Sequence, residues 1–327
     1  MKIQKPNISN QISIEQITKC CNDDIKHFTE HFFQLEFTWL HNAYGAFKDF
    51  DKYLILVYLI NNTLKTYKEH FYNLSFENFY KSESFEIEKI SIIEIVKDLS
   101  MSKETVRRKI NELNKSRVII RNKKQILIIN PFKFQKPINN IKELSKLITC
   151  ISLKLKKIYG LPSYNDQYFL ELIKKNYTRY WHTFLNFQLK YLFGVKKSFG
   201  SIANFFIFGS CVVNQSYNLK NAPQNASSNL LEPDNYIKLL TNYTKYRAQG
   251  LNPTTISELT GVPRASVIRK LKELSKDKFL LKNKQNLFTV ITAKESPAAF
   301  KKLSNNFEKN QLLLRYCLKD LFNYMVV

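Results

Sequence analysis

A short stretch in the first half of the chain has the hydrophobic pattern of two helices followed by two strands. Apolar residues recur at helical spacing on both sides of a polar break, as Ile92, Ile95, Val96 and Leu99, then Val106, Ile110 and Leu113. Ser102 stands in the break, where a hydroxyl can cap the second helix. Two apolar runs at 118–120 and 126–129 then enclose the polar residues 121–124. The pattern predicts two helices joined by a tight turn and followed by a β-hairpin.

The same pattern occurs a second time later in the chain. Residues 256–290 align with 95–129 at a constant offset and without a gap, and 9 of the 35 positions are identical. The identical pairs include Val106/Val267, Arg108/Arg269, Lys109/Lys270, Glu112/Glu273, Leu113/Leu274, Asn122/Asn283 and Lys123/Lys284. Because a gapless match through helix, turn and hairpin is hard to obtain from shared composition, we interpret it as an internal duplication that gives two modules, not an array.

The second predicted helix of the first copy has a polar face that carries Lys103, Glu104, Arg107, Arg108 and Asn111. The hairpin that follows has a cationic tip in both copies. Helix, tight turn, basic helix and hairpin together resemble a winged helix-turn-helix over about 80 residues, with a MarR-like character in the flanking helices. The resemblance implies that the second helix of each copy enters the major groove of double-stranded DNA.

The fold class that follows is mainly α with short β-hairpin wings, built as two winged-helix modules, each preceded by an aromatic-rich helical region. We expect one domain at 1–136, with its winged helix at about 85–134. The second, at 137–327, has a linker helix at 141–158 that ends at 160–162, a helical region, a winged helix at about 233–293 and a C-terminal helix at 297–322. Residues 1–20 are expected to be loosely held, 73–89 to be an acidic connector, and 220–233 to be a loop before a helix at 235–246.

The resemblance assigns candidate DNA contacts to both copies. In the first copy, Lys103, Glu104 and Arg108 are candidates for reading bases, and Ser102, Thr105 and Arg107 for contacting phosphate. In the second copy, Arg264 and Arg269 are the base-reading candidates and Ser266 is the phosphate candidate. Arginine suits this role because its guanidinium can bond guanine O6 and N7 together. The wing residues Lys123, Lys124, Lys282 and Lys284 would add sequence-independent attraction, and Asn111 and Lys270 complete the candidate set.

The second copy departs from the pattern at two positions. Ile268 replaces Arg107, and Pro263 replaces the Ser102 cap. It is therefore expected to read DNA less tightly, or to meet a thymine methyl group there. The alternative for each charged residue taken singly is a solvated helix face.

Composition agrees with a polyanionic partner. The net charge is +24, from 51 Lys and Arg against 27 Asp and Glu, and nucleic acid fits better than a membrane because part of the charge lies on the predicted reading helices and wings. Part of the lysine excess also reflects a Lys/Asn/Ile-rich composition.

The two longest apolar stretches, 53–60 and 202–213, are too short to span a membrane. The 5 cysteines lack disulfide or metal spacing, and residues 1–16 lack a signal peptide, so a cytoplasmic, nucleoid-associated protein is expected.

Other motifs carry weaker hypotheses. Only 7 glycines occur, without the glycine patterns of dinucleotide or P-loop sites. Residues His27–His31 read H-x-x-E-H, an inverted zinc-peptidase signature, and Cys20 and Cys21 could join both histidines in a structural zinc site. Packing of the flanking phenylalanines is the favoured interpretation, so no metal, cofactor or enzymatic activity is expected. Trp39 and Trp181 could line a pocket for a small-molecule effector, but core or homodimer packing is favoured.

The function predicted from these features is that of a sequence-specific, double-stranded DNA-binding transcriptional regulator. Two joined modules could imitate a dimer and span half-sites about 34–36 Å apart. Two alternatives stay open: a plasmid- or phage-type replication initiator, which would bind repeated origin sequences, and a winged-helix protein-interaction or assembly module. A protein-interaction module would bind DNA weakly and with little salt dependence, and removal of the charge at Arg108 or Arg269 would not change its binding.

Overall fold

The computed structural model describes residues 11–81, 84–86, 90–121, 126–129, 137–220 and 250–325. The first part contains α1 (Ile14–Asp23), α2 (Ile25–Phe47), α3 (Phe50–Glu69), α4 (Phe76–Lys81), β1 (Ser84–Glu86), α5 (Ile92–Leu99), α6 (Lys103–Lys115), β2 (Ile119–Arg121), β3 (Ile126–Ile129) and α7 (Ile138–Tyr159). The second part contains α8 (Asp166–Lys175), α9 (Tyr177–Phe199), α10 (Ile202–Lys220), α11 (Pro253–Thr260), α12 (Arg264–Lys276), β4 (Leu280–Lys282), β5 (Phe288–Val290) and α13 (Pro297–Met325). The prediction of a mainly helical chain is confirmed.

Long helices form the centre of the described structure. Helix α3 packs on α9 and α10 packs on α2, while the long helices α7 and α13 cover α2 and α9 respectively. The core between them is aromatic: the indole of Trp39 lies 5.4 Å from the ring of Phe184, and the ring of Phe32 lies 5.7 Å from that of Tyr191. Aromatic rings bury large apolar areas and favour such edge-to-face contacts. This core holds the two helix pairs described next.

The first helix pair, α5 and α6, docks on α3 through α6. Strands β2 and β3 pair antiparallel with Ile120 opposite Leu127, and β1 adds to the other edge of β3, giving the order β1–β3–β2. The strands predicted at 118–120 and 126–129 are therefore present. The tip of this pair, with Lys123 and Lys124, lies outside the described residues.

The second helix pair, α11 and α12, docks on α10 through both helices. Both helices, and strand β4 after them, begin and end at the positions that the gapless alignment pairs with the ends of α5, α6 and β2. The two turns also agree: Ser100 and Gly261 end the first helix in the left-handed region, and Arg117 and Lys278 do so after the second helix. Strands β4 and β5 pair antiparallel, with Leu281 opposite Thr289.

Two expectations about local order are wrong for the described residues. Residues 1–20 were expected to be loosely held; residues 1–10 lie outside the described residues, but α1 begins at Ile14 under a capping box formed by Ser13 and Gln16, and it buries Ile17, Cys20 and Cys21. The expected acidic connector at 73–89 contains helix α4 and strand β1. Helix α4 forms because its aromatic face packs against Tyr177 of α9, an element from the second half of the chain.

Other expectations have mixed outcomes. The helix predicted at 141–158 is α7, and it ends at Gly160 in the left-handed conformation that favours glycine. The last helix predicted from Pro297 is α13. The loop expected at 220–233 and the helix expected at 235–246 lie outside the described residues, except for Lys220 at the end of α10.

Candidate nucleic-acid interface

The turn between α5 and α6 is fixed by caps on both helices. Ser91 and Glu94 form a capping box at the start of α5, and Ser100 ends that helix with a φ of 46°. Ser102 then accepts a hydrogen bond from the backbone N–H of Thr105, so it caps α6 as predicted. The Ser102 hydroxyl also donates to the Thr105 hydroxyl over 2.8 Å. Ser102 and Thr105, two of the three phosphate candidates of this copy, therefore support the start of α6.

The two faces of α6 separate as the periodicity predicts. Val106, Ile110 and Leu113 are fully buried. The candidate contacts Lys103, Glu104, Arg107, Arg108 and Asn111 are all exposed, and Thr105 is half-buried. The structure thus brings five of the predicted side chains to one solvent-facing surface at the beginning and middle of a helix. In helix-turn-helix proteins this is the part of the second helix that meets base edges.

Helix α6 is held against α3 by an ionic network that the sequence did not reveal. The ammonium of Lys109 lies 2.7 Å from the Asp49 carboxylate and 3.2 Å from that of Glu112, and Lys52 reaches Glu112 over 3.3 Å. Asp49 also caps α3. Burial alone would raise the pKa of Asp49, but its bonds to Lys109 and to the Lys52 N–H hold that pKa below its usual value. The network fixes the position of α6 on the helical core.

The second copy uses the same positions to hold α12 against α10. Lys270 pairs with Glu273 over 2.9 Å, and the side-chain amide of Asn204 donates to the same carboxylate over 3.1 Å. The hydrogen bond from Lys270 is the main cause that lowers the pKa of Glu273. Lys270 was predicted to contact DNA; in the structure its ammonium is bonded to Glu273, the residue that receives the hydrogen bond from α10.

The remaining candidates of the second copy face solvent. Arg264 and Arg269 are exposed, and Arg264 Nε donates to the hydroxyl of Thr254 in α11 over 3.2 Å. Ser266 is half-buried, whereas Lys282 and Lys284 are exposed at and beyond the end of β4. The two positions at which the second copy departs from the first also differ in the structure. Pro263 provides no side-chain cap, and Ile268 is half-buried where Arg107 is exposed.

The repeated residues therefore fall into two groups. Arg108 and Arg269 are exposed, whereas Lys109 and Lys270 lie inward with the glutamates three positions later. The signal for the inward group was present in the sequence as the same Lys-x-x-Glu spacing in both copies. Its meaning depended on Asp49 and Asn204, which lie far before α6 and α12 in the sequence, at the beginning of other helices.

The residues of the zinc hypotheses lie on α1 and α2. Nδ1 of His27 lies 2.7 Å from the Asp24 carboxylate, and burial lowers the pKa of His31. Within the described ranges, no group of three or more His, Cys, Asp and Glu side chains is placed to hold a metal ion. Nor does any helix in the described part of the chain have the length and apolar character needed to cross a membrane.

The tryptophans lie away from an apolar cavity in the helical core. Trp39 and Trp181 pack on each other with ring centres 5.8 Å apart. A cavity of about 110 Å³ lies between α2, α9, α10 and α13, and Glu36 is on its wall among aromatic and aliphatic side chains. Burial raises the pKa of Glu36 to about 8.

Comparison with known families gives one match. Residues 86–128 match the profile of a DeoR-like helix-turn-helix domain. The match starts in β1, includes α5, α6 and β2, and ends within β3, so it covers the exposed basic face of α6. It supports a helix-turn-helix of DeoR-like type, and it lends no support to the more specific MarR-like resemblance. Searches among curated proteins and among solved structures found no match to the chain.

Proposed function

We propose that this protein is a double-stranded DNA-binding transcriptional regulator that uses two winged-helix modules. Helices α6 and α12 are the reading helices, and the strand pairs β2–β3 and β4–β5 are the wings. The observation that carries the proposal is the agreement of the two helix pairs in length, turn and docking, together with the DeoR-like match over the first. Both pairs present exposed arginines from the beginning and middle of the second helix.

The charge distribution supports specific reading in addition to general attraction. Lys103, Arg107 and Arg108 leave the same face of α6, and Arg264 and Arg269 leave the corresponding face of α12. An arginine that bonds guanine bidentately contributes about 1–3 kcal/mol of discrimination between bases. Lys282 and Lys284 lie beside α12 on the second strand pair and supply contacts to phosphate, which carry affinity without base preference.

The proposal is tested by selecting bound duplexes from a random library at about 150 mM salt, a concentration at which screening weakens non-specific attraction. Wild type, Arg108→Ala and Arg269→Ala are compared with Lys115→Ala, which removes the same charge from the far end of α6. We expect an enriched motif that Arg108→Ala and Arg269→Ala each relax at different positions, and that Lys115→Ala leaves intact. Equal recovery of every duplex by all four proteins would refute sequence-specific regulation.

A further inference from the structure

The helices outside the two helix-turn-helix units also recur, at a constant offset of their own. Helices α1, α2 and α3 begin at 14, 25 and 50, and α8, α9 and α10 begin at 166, 177 and 202, so the intervals between successive starts are the same in both sets. Helices α1 and α8 have 10 residues each, and α2 and α9 have 23 residues each. Their ends agree as well. Ser13 and Asn165 cap α1 and α8, and Lys48 and Gly200 end α2 and α9 in the left-handed region.

Contacts between the two sets are reciprocal. Under the offset that pairs the helix starts, Phe32 corresponds to Phe184 and Trp39 to Tyr191. The edge-to-face contact of Trp39 with Phe184, at 5.4 Å, therefore has its counterpart in that of Phe32 with Tyr191, at 5.7 Å. Whole helices behave in the same way: α3 packs on α9 while α10 packs on α2, and α1 packs on α13 while α8 packs on α7. Such exchange of partners is the property of an isologous, two-fold interface.

One contact lies where the two-fold axis between the two sets of helices would pass. Glu36 and Gln188 correspond under the same offset, and the Gln188 amide donates to the Glu36 carboxyl over 2.6 Å in the buried core. A position can touch its own counterpart only where it lies next to the two-fold axis. A translation along the chain, as in a repeat array, would place these two side chains apart. The two halves are thus related by a rotation of about a half-turn.

The reading helices follow the same rotation. Helix α6 is held on α3 through Lys109 and Glu112, and α12 is held on α10 through Glu273, to which Lys270 is also bonded. In each half the carboxylate is also bonded by the third residue of the long helix, Lys52 in one and Asn204 in the other. Because each reading helix has the same docking on its own half, the rotation that relates the halves relates α6 to α12.

We propose that one copy of this chain is a covalent pseudo-dimer that binds two half-sites of duplex DNA in inverted orientation. The first half ends at the turn after Gly160 instead of at residue 136, since α7 corresponds to α13 in covering the central helix of its half. This inference rests on the proposed function. The inverted repeat is imperfect, because the base-reading candidates Lys103 and Glu104 correspond to Arg264 and Ala265 in the second half. The two half-sites are therefore expected to differ at the base pairs that these positions meet.

The test uses the full chain and the motif obtained by selection. Arg108→Ala and Arg269→Ala assign each half-motif to its reading helix. Three duplexes are then compared at constant spacing: the selected one, one with a single half-motif reversed in place, and one with the same half-motif scrambled. We expect the reversed and scrambled duplexes to bind equally weakly, at least about tenfold below the selected one. Sedimentation of the complex is expected to show one chain on each selected duplex.

Selection of half-motifs in direct orientation would overturn the inference and leave the proposed function intact. Two chains on each inverted duplex, with Arg108→Ala and Arg269→Ala relaxing the same positions, would also overturn it, because each chain would then use a single reading helix. If no duplex is enriched, the proposed function fails and the inference fails with it.

Discussion

Arg108 and Lys109 are neighbours in α6, and we expect them to have separate roles. Substitution of each residue tests this expectation. Arg108 and Lys109 are both repeated, in Arg269 and Lys270. The side chain of Arg108 is 60% exposed, whereas that of Lys109 is 11% exposed and lies between two carboxylates. Methionine at either position keeps an unbranched chain of similar length and removes the charge. We expect Arg108→Met to affect DNA binding and Lys109→Met to affect stability.

The magnitude for Lys109→Met follows from its surroundings. An exposed ion pair contributes about 0–1 kcal/mol, and breaking a fully buried one costs about 3–5 kcal/mol. Lys109 is nearly buried, but its partners Asp49 and Glu112 are 24% and 36% exposed and regain some water when the ammonium is lost. We therefore expect the free energy of unfolding to fall by about 1–3 kcal/mol. Lys270→Met, with one carboxylate partner that keeps its bond from Asn204, is expected to cost less.

Urea unfolding followed by circular dichroism measures the first effect, as a lower midpoint at an unchanged slope. Binding of the selected duplex, followed by fluorescence anisotropy, measures the second. Arg108→Met is expected to unfold within about 0.5 kcal/mol of wild type and to lose the discrimination of one bidentate contact. Loss of stability in Arg108→Met equal to that in Lys109→Met would refute the separation of roles. So would a wild-type urea midpoint for Lys109→Met.

Three further predictions address the cap, the wing and the buried acid. Ser102→Ala is expected to lower the free energy of unfolding by about 1 kcal/mol, because the Thr105 N–H loses its acceptor. Ser102→Asp restores a capping oxygen and is expected to recover most of that free energy in the same urea assay. Lys282→Ala is expected to weaken binding to all duplexes alike and to reduce the salt slope by about 1 in titrations from about 50 to 200 mM salt; a change in motif would contradict this. Burial raises the pKa of Glu36 from 4.5 to about 8, so the folded state holds a proton that the unfolded state releases. Stability is therefore expected to fall as pH rises from about 4.5 to 8. Glu36→Gln should flatten that fall in unfolding curves at about pH 5 to 9, and an unchanged slope would exclude Glu36 as its cause.

The sequence was informative where structure is decided locally. The cap at Ser102, the buried stripe of Val106, Ile110 and Leu113, and the strand pair after them depend on residues within one or two turns of chain. Periodicity reports such packing directly. The same reasoning located α7 and its end at Gly160, because a glycine after a basic last turn is a common helix stop.

The features that were missed depend on distant partners. Helix α4 is short and lies in an acidic stretch, and Tyr177, which orders it, belongs to the other half of the chain. The role of Lys109 depends on Asp49 at the start of another helix. Charge on a helix surface looks the same in a sequence whether it meets solvent, nucleic acid or a carboxylate. Periodicity could therefore assign these side chains to the polar face of α6 but not distinguish the exposed arginine from the inward lysine.

The recurrence of α1–α3 in α8–α10 was hidden for a different physical reason. In a dimer of identical chains, both sides of the axis must carry the same residue. A glutamate at position 36 would then place two carboxyls together in the core, where like charges and burial oppose ionisation of both. Joining the halves in one chain removes that constraint, and the chain has Gln188 opposite Glu36, with an amide that donates to the carboxyl. The same freedom allows Arg107 on one reading helix and Ile268 on the other. In this proposal, divergence at the axis and on the exposed faces of α6 and α12 has one origin. The Lys–Glu pairs of α6 and α12 are needed for docking in each half separately, and both halves have kept them.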